Sequence, residues 1–567
     1  MPSLRYVGLT FEADQGLRSE VTILPDLYVN ERGIYGKAFT RGQGPSVSEA
    51  AAISLYEHSL RLNPTSTMAF WAEQPFARLR HATHGVSVTM ENDPLSLDEI
   101  VRRVNAKAAD YCALSDRIWA MPELAFEEHR SAAEHIAMLE REGFRITSNI
   151  GGIATAFVAE YGKGGPIIGI LGEYDALADL AQVSGVTEHM PTAKGAPGHG
   201  CGHNLLGSGS ALAAVALKDA LANEGIAGTV RYYGCPAEEA GGGKTFMARA
   251  GVFDDLDAAF CWHPAVLNEV LTKSANAAIG ARFRFKGRAS HAAASPHLGR
   301  SALDAVELMN IGVNYMREHM PSDARVHYAI TNTGGDAPNV VQAFAESIYS
   351  VRSPHLPNAE RLFARVKKIA EAATMMTDTS MTVQIIGGCS NVLPNKALQD
   401  VMYENMRRLG PPAFDEADLA FAEEIREAAL TEDDVLASVA PDNISLKDVF
   451  LHDGLLAMPA HEGCDMGSTD VGDVSWIVPT AQCQTACFAI GTPFHTWQLV
   501  TQGNLPAAHK GMVLAAKAMA TTAADCLRNP EIITRAKAEL KQRTGGLAYR
   551  CPIPMEVAPE DLRTKAV

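Results

Sequence analysis

From Leu97 onward the polar and apolar positions fall into a rhythm that switches between two periods. SLDEIVRRVNAKAADYCALSDRIWAMPELAF spaces its apolar residues three and four apart, which predicts a long amphipathic helix stopping near Pro122. SAAEHIAMLEREGF predicts a second helix ending at Gly143. Strand-like and helical runs then alternate: IATAFVAEY, PIIGILGEYD, the helix LLGSGSALAAVALKDALANEG, the strand TVRYYGCPAEE, the helix KTFMARAG and the strand AAFCWHP. Runs such as PIIGILG are apolar without alternation, as strands covered on both faces are. Strand, helix, strand in this order predicts an α/β domain, a mostly parallel mixed sheet flanked by helices.

A second unit interrupts the first. ARFRFKG alternates strictly; the helix SALDAVELMNIGVNYMREHM, the strands RVHYAIT and AESIYSVRS, the helix NAERLFARVKKIAEAATMM and the strand MTVQIIGG follow. That βαββαβ order is ferredoxin-like. After Pro394 the pattern returns to the first domain, with a helical stretch, the glycine-rich HEGCDMGSTDVGDVS and a final long helix, HKGMVLAAKAMATTAADCL. Ahead of all this lies an extra N-terminal α+β block. It has strand-like runs VTILPDLYV and GIYGKAF and a helix, SVSEAAAISLYEHSLRLN, with Ser46 as its cap. The expected division is 1–92 for that extension, 93–276 with 393–567 for a discontinuous α/β domain, and 277–392 for the inserted unit.

Composition narrows the function classes. At 567 residues the chain is too long for one core, with 47% apolar and 20% charged residues. Its formal charge of −17 sets it against phosphate backbones and anionic membranes, so no nucleic-acid or membrane partner is expected. No apolar run is expected to reach the roughly 20 residues that span a bilayer. The first residues, MPSLRYVGLTFEADQG, are charged where an export signal is apolar. A cytoplasmic location is expected. The ten cysteines have no repeating spacing and read mostly as small buried hydrophobes.

The chemistry gathers where parallel strands end, the edge at which α/β sheets bind ligands. Glu173 and Asp175 follow PIIGIL; His199, Cys201 and His203 lie in GHGCGHNLLG; Glu238 and Glu239 follow TVRYYGC; His263 follows AAFCW; His495 lies in AIGTPFHTW. Cys201 has three readings. A nucleophile needs a base and an oxyanion hole, and leaves the pair Glu238–Glu239 unexplained. A zinc knuckle needs a second close cysteine pair, and Cys483 and Cys487 have none beside them. A catalytic metal centre uses all of these residue types: thiolate, imidazole and carboxylate converging at one sheet edge.

Taken in order, GEYDAL, GHGCGHNLLG, GCPAEE with GGGK, WHP, SHAAASPHLGRSALDAVELMN and GTPFHTW resemble the M20 metallopeptidases. Within them the chain is most similar to the amidohydrolase branch and its aminobenzoyl-glutamate hydrolase B-type subunits. The resemblance spans Leu97 to Cys526. It implies a catalytic domain holding two divalent metal ions, zinc or manganese, and an inserted lid that also mediates dimerisation. Cys201, His203, Glu239, His263 and His495 would be the metal ligands, and Glu238 the general base that takes the attacking water's proton. Asp175 would orient a ligand imidazole. From the lid, His291 would reach the active site of the other protomer as a donor to the oxyanion, while Asn339 and Arg352 would bind substrate. Much of the family has aspartate where this chain has Glu173, so Glu173 is not assigned as a ligand. The implied reaction is hydrolysis of the amide of N-acyl or aroyl amino acids, p-aminobenzoyl-glutamate foremost. A dipeptidase, or a subunit that needs a homologous partner chain, is the alternative. A homodimer or higher homo-oligomer is expected.

Overall fold

The computed structural model describes residues 93–224, 226–439 and 441–562, together with four short strands near the N-terminus. The chain divides into two compact units, Met1–Glu91 and Asn92–Val567. In the first, Leu9–Ala13 pairs antiparallel with Leu17–Val21, and Tyr28–Asn30 with Gly33–Tyr35. The strands expected at 21–29 and 33–39 are described only at Val21, from Tyr28 and over Gly33–Tyr35. The helix expected at 46–63 lies outside the described residues.

The second unit is built on a seven-stranded sheet. Its strands are β1 (Arg145–Ser148), β2 (Phe157–Lys163), β3 (Ile167–Glu173), β4 (Gly228–Cys235), β5 (Ala258–Ala265), β6 (Glu269–Val270) and, far along the chain, β11 (Thr480–Ala486). They lie in the order β6-β11-β5-β3-β4-β2-β1. The central four, β11, β5, β3 and β4, are parallel; β6 and β2 flank them antiparallel, and β1 pairs antiparallel with β2. Helices α1 (Leu97–Trp119), α2 (His129–Arg141), α3 (His203–Glu224) and α4 (Gly243–Arg249) follow the predicted rhythm. Ser96 starts α1 as its side chain accepts from the Glu99 amide.

α3 packs on β3, on α1 and on the late helix Pro506–Arg528. One expectation fails here: His203–Ala222, with a mean hydropathy of 1.3, is long and apolar enough to cross a membrane. Of that stretch 89% is buried inside the fold, so its apolarity is that of a helix covered by protein on nearly every side. Gly207 lets it sit that close: an added Cβ would lie 2.5 Å from the Glu173 carbonyl oxygen.

β7 (Ala277–Lys286), β8 (Arg325–Asn332), β9 (Phe344–Ser353) and β10 (Ser380–Cys389) form a separate antiparallel sheet in the order β8-β9-β7-β10. Helices α5 (Ala302–Arg317) and α6 (Leu356–Thr377) pack on it, around a core of its own that includes Phe283, Phe285, Val306, Met309, Tyr349 and Val366. This is the ferredoxin-like arrangement read from the sequence. The two crossings into and out of it are tied together: Val392 N–H donates to the Ala275 carbonyl (3.2 Å) and Ser274 Oγ to the Val392 carbonyl (2.7 Å). The segment Cys464–Asp465 adds to them as a short parallel pairing with Ser274–Ala275.

Among the elements the sequence does not disclose are three strands of the central sheet and the last long helix. β1 and β6 are short edge strands, and β11, TAQCQTA, is too polar and small to look like a central strand. The helix Pro506–Arg528 is not the last, because Pro530–Arg543 follows it, restarted by Pro530 at its first position.

Candidate metal centre

The ends of β3, β4 and β5, the start of α3 and the loop after β11 converge on a cavity of about 610 Å³. Two backbone positions hold its rim in left-handed conformations that a side chain disfavours. Ala237, at φ 59°, precedes the carboxylate pair, and His495 has φ 61°. His495 N–H is anchored to the Gly200 carbonyl at 2.8 Å. Ala237 N–H is anchored to Glu128, whose Oε1 also accepts from Phe126 N–H, both at 2.9 Å. Glu128 is fully buried, and burial with the nearby Asp175 charge pushes its carboxyl up to about 8. No motif pointed to Glu128; it lies 109 residues before the loop it holds.

Cys201 Sγ is 3.3 Å from His263 Nε2. The other ring nitrogen of His263, Nδ1, lies 2.8 Å from the Pro264 carbonyl, so it carries the proton and Nε2 offers its lone pair to the cavity. His203 Nδ1 meets Asp175 Oδ1 at 2.8 Å, which turns His203 Nε2 inward; Asp175 Oδ2 accepts from the Glu239 amide at 2.9 Å. Asp175 therefore fixes both an imidazole and the loop carrying the next carboxylate. Glu239 Oε2 is 3.3 Å from His495 Nε2. The donor atoms fall into two sets sharing Cys201: Cys201, His203 and His263, and Cys201, Glu239 and His495.

A third set joins Glu173, His203 and Glu238. Glu173 Oε2 stands 3.3 Å from His203 Nε2, although sequence reasoning left it unassigned. Its other oxygen is held by Lys244 Nζ at 2.8 Å, and the same ammonium pairs with Asp470. Lys244 is fully buried, and its backbone N–H also donates to Asp470, at 2.8 Å. This clamp also went unread: GGGK was noted only as a word, and Asp470 is 226 residues away.

The electrostatics suit a bound cation. His203 Nε2 and Glu239 Oε1 are buried without a hydrogen-bond partner, a costly state that a metal ion relieves. Burial, reinforced by Glu173 and Glu239, raises the Glu238 carboxyl well above the ordinary range. Burial also raises the Cys201 thiol, with Glu239 adding to it; a nucleophilic cysteine needs the opposite shift. Cys483 and Cys487 are buried on and just after β11 and join no ligand set among the described residues. Neither observation favours the rival readings of Cys201.

His199 stays outside the donor sets; its Nε2 lies 3.1 Å from the Ile118 carbonyl, and burial lowers its pKa to about 4. Arg352, on β9, lines the cavity, and its Nε is buried without a partner. His291 and Asn339 do not line it. They sit together on the inserted unit, where Ala292 N–H donates to the Asn339 carbonyl at 2.9 Å. His291 is exposed, and its Nδ1 accepts from the Ala293 and Ala294 amides at 3.2 and 3.1 Å, which leaves Nε2–H as an outward donor.

A parallel-sheet edge carrying thiol, imidazole and carboxylate donors, with the half-buried carboxyl of Glu238 beside them, is the kind of site a metal-dependent hydrolase uses. Residues 169–441 match the model of peptidase family M20/M25/M40. The chain is 46% identical over 471 residues to the B-type subunit of p-aminobenzoyl-glutamate hydrolase from Escherichia coli (strain K12), covering 81% of this chain and 98% of that protein. It is 31% identical over 480 residues to Xaa-Arg dipeptidase of Mus musculus, covering 82% and 96%. Among solved structures, an aminohydrolase from methicillin resistant Staphylococcus aureus superposes with a TM-score of 0.54 at 16% identity, over 76% of this chain and all of that one. The chain belongs to the M20 peptidase family.

Proposed function

We propose that this protein hydrolyses the amide bond of N-aroyl amino acids, with p-aminobenzoyl-glutamate as substrate. The observation that carries the reading is the convergence of Cys201, His203, Glu239, His263 and His495 beside the raised carboxyl of Glu238. The 46% identity to one subunit of a p-aminobenzoyl-glutamate hydrolase supports the substrate.

These five residues would hold two divalent ions, zinc or manganese, with Glu173 contributing beside His203. When bound, such ions make water acidic and polarise a carbonyl. Glu238 takes the proton of the attacking water and passes it to the leaving amine, which splits the adjacent carboxylates into a proton carrier and a ligand. Asp175 keeps His203 in one tautomer and orientation. Arg352 offers its planar fork to the carboxylate of the amino-acid half. His291 supplies its Nε2–H to the oxyanion of a neighbouring protomer, and Asn339 accompanies it; exposure of His291 away from this chain's own cavity supports a dimer through the inserted unit, which acts as lid. A cytoplasmic setting fits ten unpaired thiols. The bacterial relative is one of the subunits of its hydrolase, which supports a homologous partner chain.

The test is release of p-aminobenzoate from p-aminobenzoyl-glutamate by protein loaded with manganese or zinc, compared with Glu238→Gln. Turnover that disappears in the variant while bound metal stays supports reaction, base and substrate together. No turnover, alone or after addition of a homologous partner chain, sinks the aroyl-glutamate assignment. Dipeptides ending in arginine would then take its place, as the second relative suggests.

A further inference from the structure

Past His263 the cavity continues along the edge of the central sheet, across strands rather than along them. In register, His263 on β5 faces Gln484 on β11, and Gln484 faces Glu269 on β6. Residues directly opposite one another share a face. All three line the cavity and are half-buried, whereas the strand neighbours of each are buried wherever they lie within these strands. The row therefore starts at a metal-ligand candidate and ends at a carboxylate.

With strands about 4.8 Å apart, Glu269 stands roughly 10 Å from His263. Among the described residues, neither the Glu269 carboxylate nor the side-chain amides of Gln482 and Gln484 has a hydrogen-bond or ion-pair partner. Apolar groups also line the cavity: Leu271, Val392 and Phe494, whose ring meets His263 edge-on at 5.3 Å between centroids. The row thus runs from the candidate reacting centre at His263 to unused acceptors at Gln484 and Glu269, with apolar groups elsewhere in the lining.

We propose that Glu269 is a specificity-determining residue, accepting a hydrogen bond from an amino group at the far end of the substrate's acyl half. The inference rests on the aroyl amino acid reading and deepens it. In an aminobenzoyl group the amide carbon and the para nitrogen are about 6 Å apart by standard bond lengths, which fits inside the roughly 10 Å row with room for the scissile carbonyl before His263. Gln484, between the two ends, offers a second acceptor for the other N–H. Burial raises the Glu269 carboxyl, and the charge of Lys273, which also lines the cavity, partly offsets it. With that charge already partly met, the site suits a neutral aryl amine over a second cation.

The experiment compares p-aminobenzoyl-glutamate with benzoyl-glutamate, which lacks only the amine. The quantity read is the ratio of the two kcat/KM values within one preparation, so an inactive fraction cancels. Wild type should prefer the amino substrate by about tenfold or more, the effect of one hydrogen bond to a charged acceptor. Glu269→Leu should bring the ratio near one; if that variant is inactive on both substrates, Glu269→Gln is read in the same way and should reduce the ratio severalfold. Equal rates in wild type, or a ratio that survives both substitutions, overturn the proposal. Dissociation constants for the same pair, measured by calorimetry on metal-loaded Glu238→Gln, separate the two readings. A persisting preference in binding with no hydrolysis by wild type overturns the hydrolase assignment and upholds the amine contact. Hydrolysis of both substrates with no preference does the reverse. Neither binding nor hydrolysis overturns both.

Discussion

Replacing Lys244 with methionine isolates the buried clamp beneath the metal centre. The ammonium is the direct cationic partner of two carboxylates, each 2% exposed: Glu173 at 2.8 Å and Asp470 closer still. Methionine keeps most of the volume and removes the charge, leaving both anions buried beside Glu238. Breaking one buried pair costs about 3–5 kcal/mol, and two stranded partners place the expected loss at the upper end. Unfolding in urea, followed by tryptophan fluorescence and far-ultraviolet dichroism to test coincidence, gives the loss. The double variant Lys244→Met/Asp470→Asn should recover part of it, since one stranded charge is gone. The deficit also has a pH signature. Burial already raises the Asp470 carboxyl, and without the cation its folded pKa lies further above its unfolded value of about 4, so it tends to keep its proton. The Asp470 part of the deficit is therefore absent below about pH 4 and grows as pH rises through the raised folded value. A single variant within about 1 kcal/mol of wild type at pH 8, or a deficit unchanged by Asp470→Asn, would refute the reasoning.

Three further outcomes can be checked on the same protein. Gly207→Ala forces a Cβ to within 2.5 Å of the Glu173 carbonyl and should destabilise by about 1–3 kcal/mol in the same urea assay, with lower metal occupancy as α3 shifts. Metal chelation should abolish activity that iodoacetamide leaves intact: Cys464 is the exposed thiol, while burial raises Cys201 and holds Cys483 and Cys487 up at about 12; rapid inactivation of metal-loaded enzyme by alkylation would revive the cysteine nucleophile. Asp473, buried among Thr245, Ser390 and Tyr549, has its carboxyl raised by burial from 3.8 to about 6. The stability that its proton confers is present below about pH 4 and lost as pH rises through about 6, an amplitude of about 3 kcal/mol that Asp473→Asn should remove from the pH–stability curve.

What the sequence disclosed followed from how each signal is written. β3 and β5 are read from apolar runs, because strands covered on both faces have little choice of residue. β11 escaped because Gln482 and Gln484 point into a cavity and the rest of TAQCQTA is small, so neither period is visible. The candidate metal donors were legible because thiol, imidazole and paired carboxylates at strand ends have few other uses in such number. Glu128, Lys244 and Asp470 were not, since each does its work through a partner more than a hundred residues distant and carries no local spacing. Glu173 was withheld for departing from its family's usual aspartate, yet one oxygen faces His203 and the other Lys244; the longer side chain still reaches the same imidazole. The stretch from His203 is the converse case: serines and the adjacent Lys218 and Asp219 interrupt its apolar residues, so its length as one apolar helix is hard to see in the sequence.

The interruption of the central sheet also orders events during synthesis. β5 is complete at Ala265, but its parallel neighbour β11 begins at Thr480, and His495 follows His263 by 232 residues. At roughly 5–20 residues per second the ribosome needs about ten seconds or more to bridge that gap. Within it the four-stranded unit emerges whole, with a core of its own, from Ala277 to Cys389. A nascent chain thus carries a finished insert while β5 still presents an open edge and the candidate donor set still lacks His495. Loading of the full donor set with metal belongs to the completed chain.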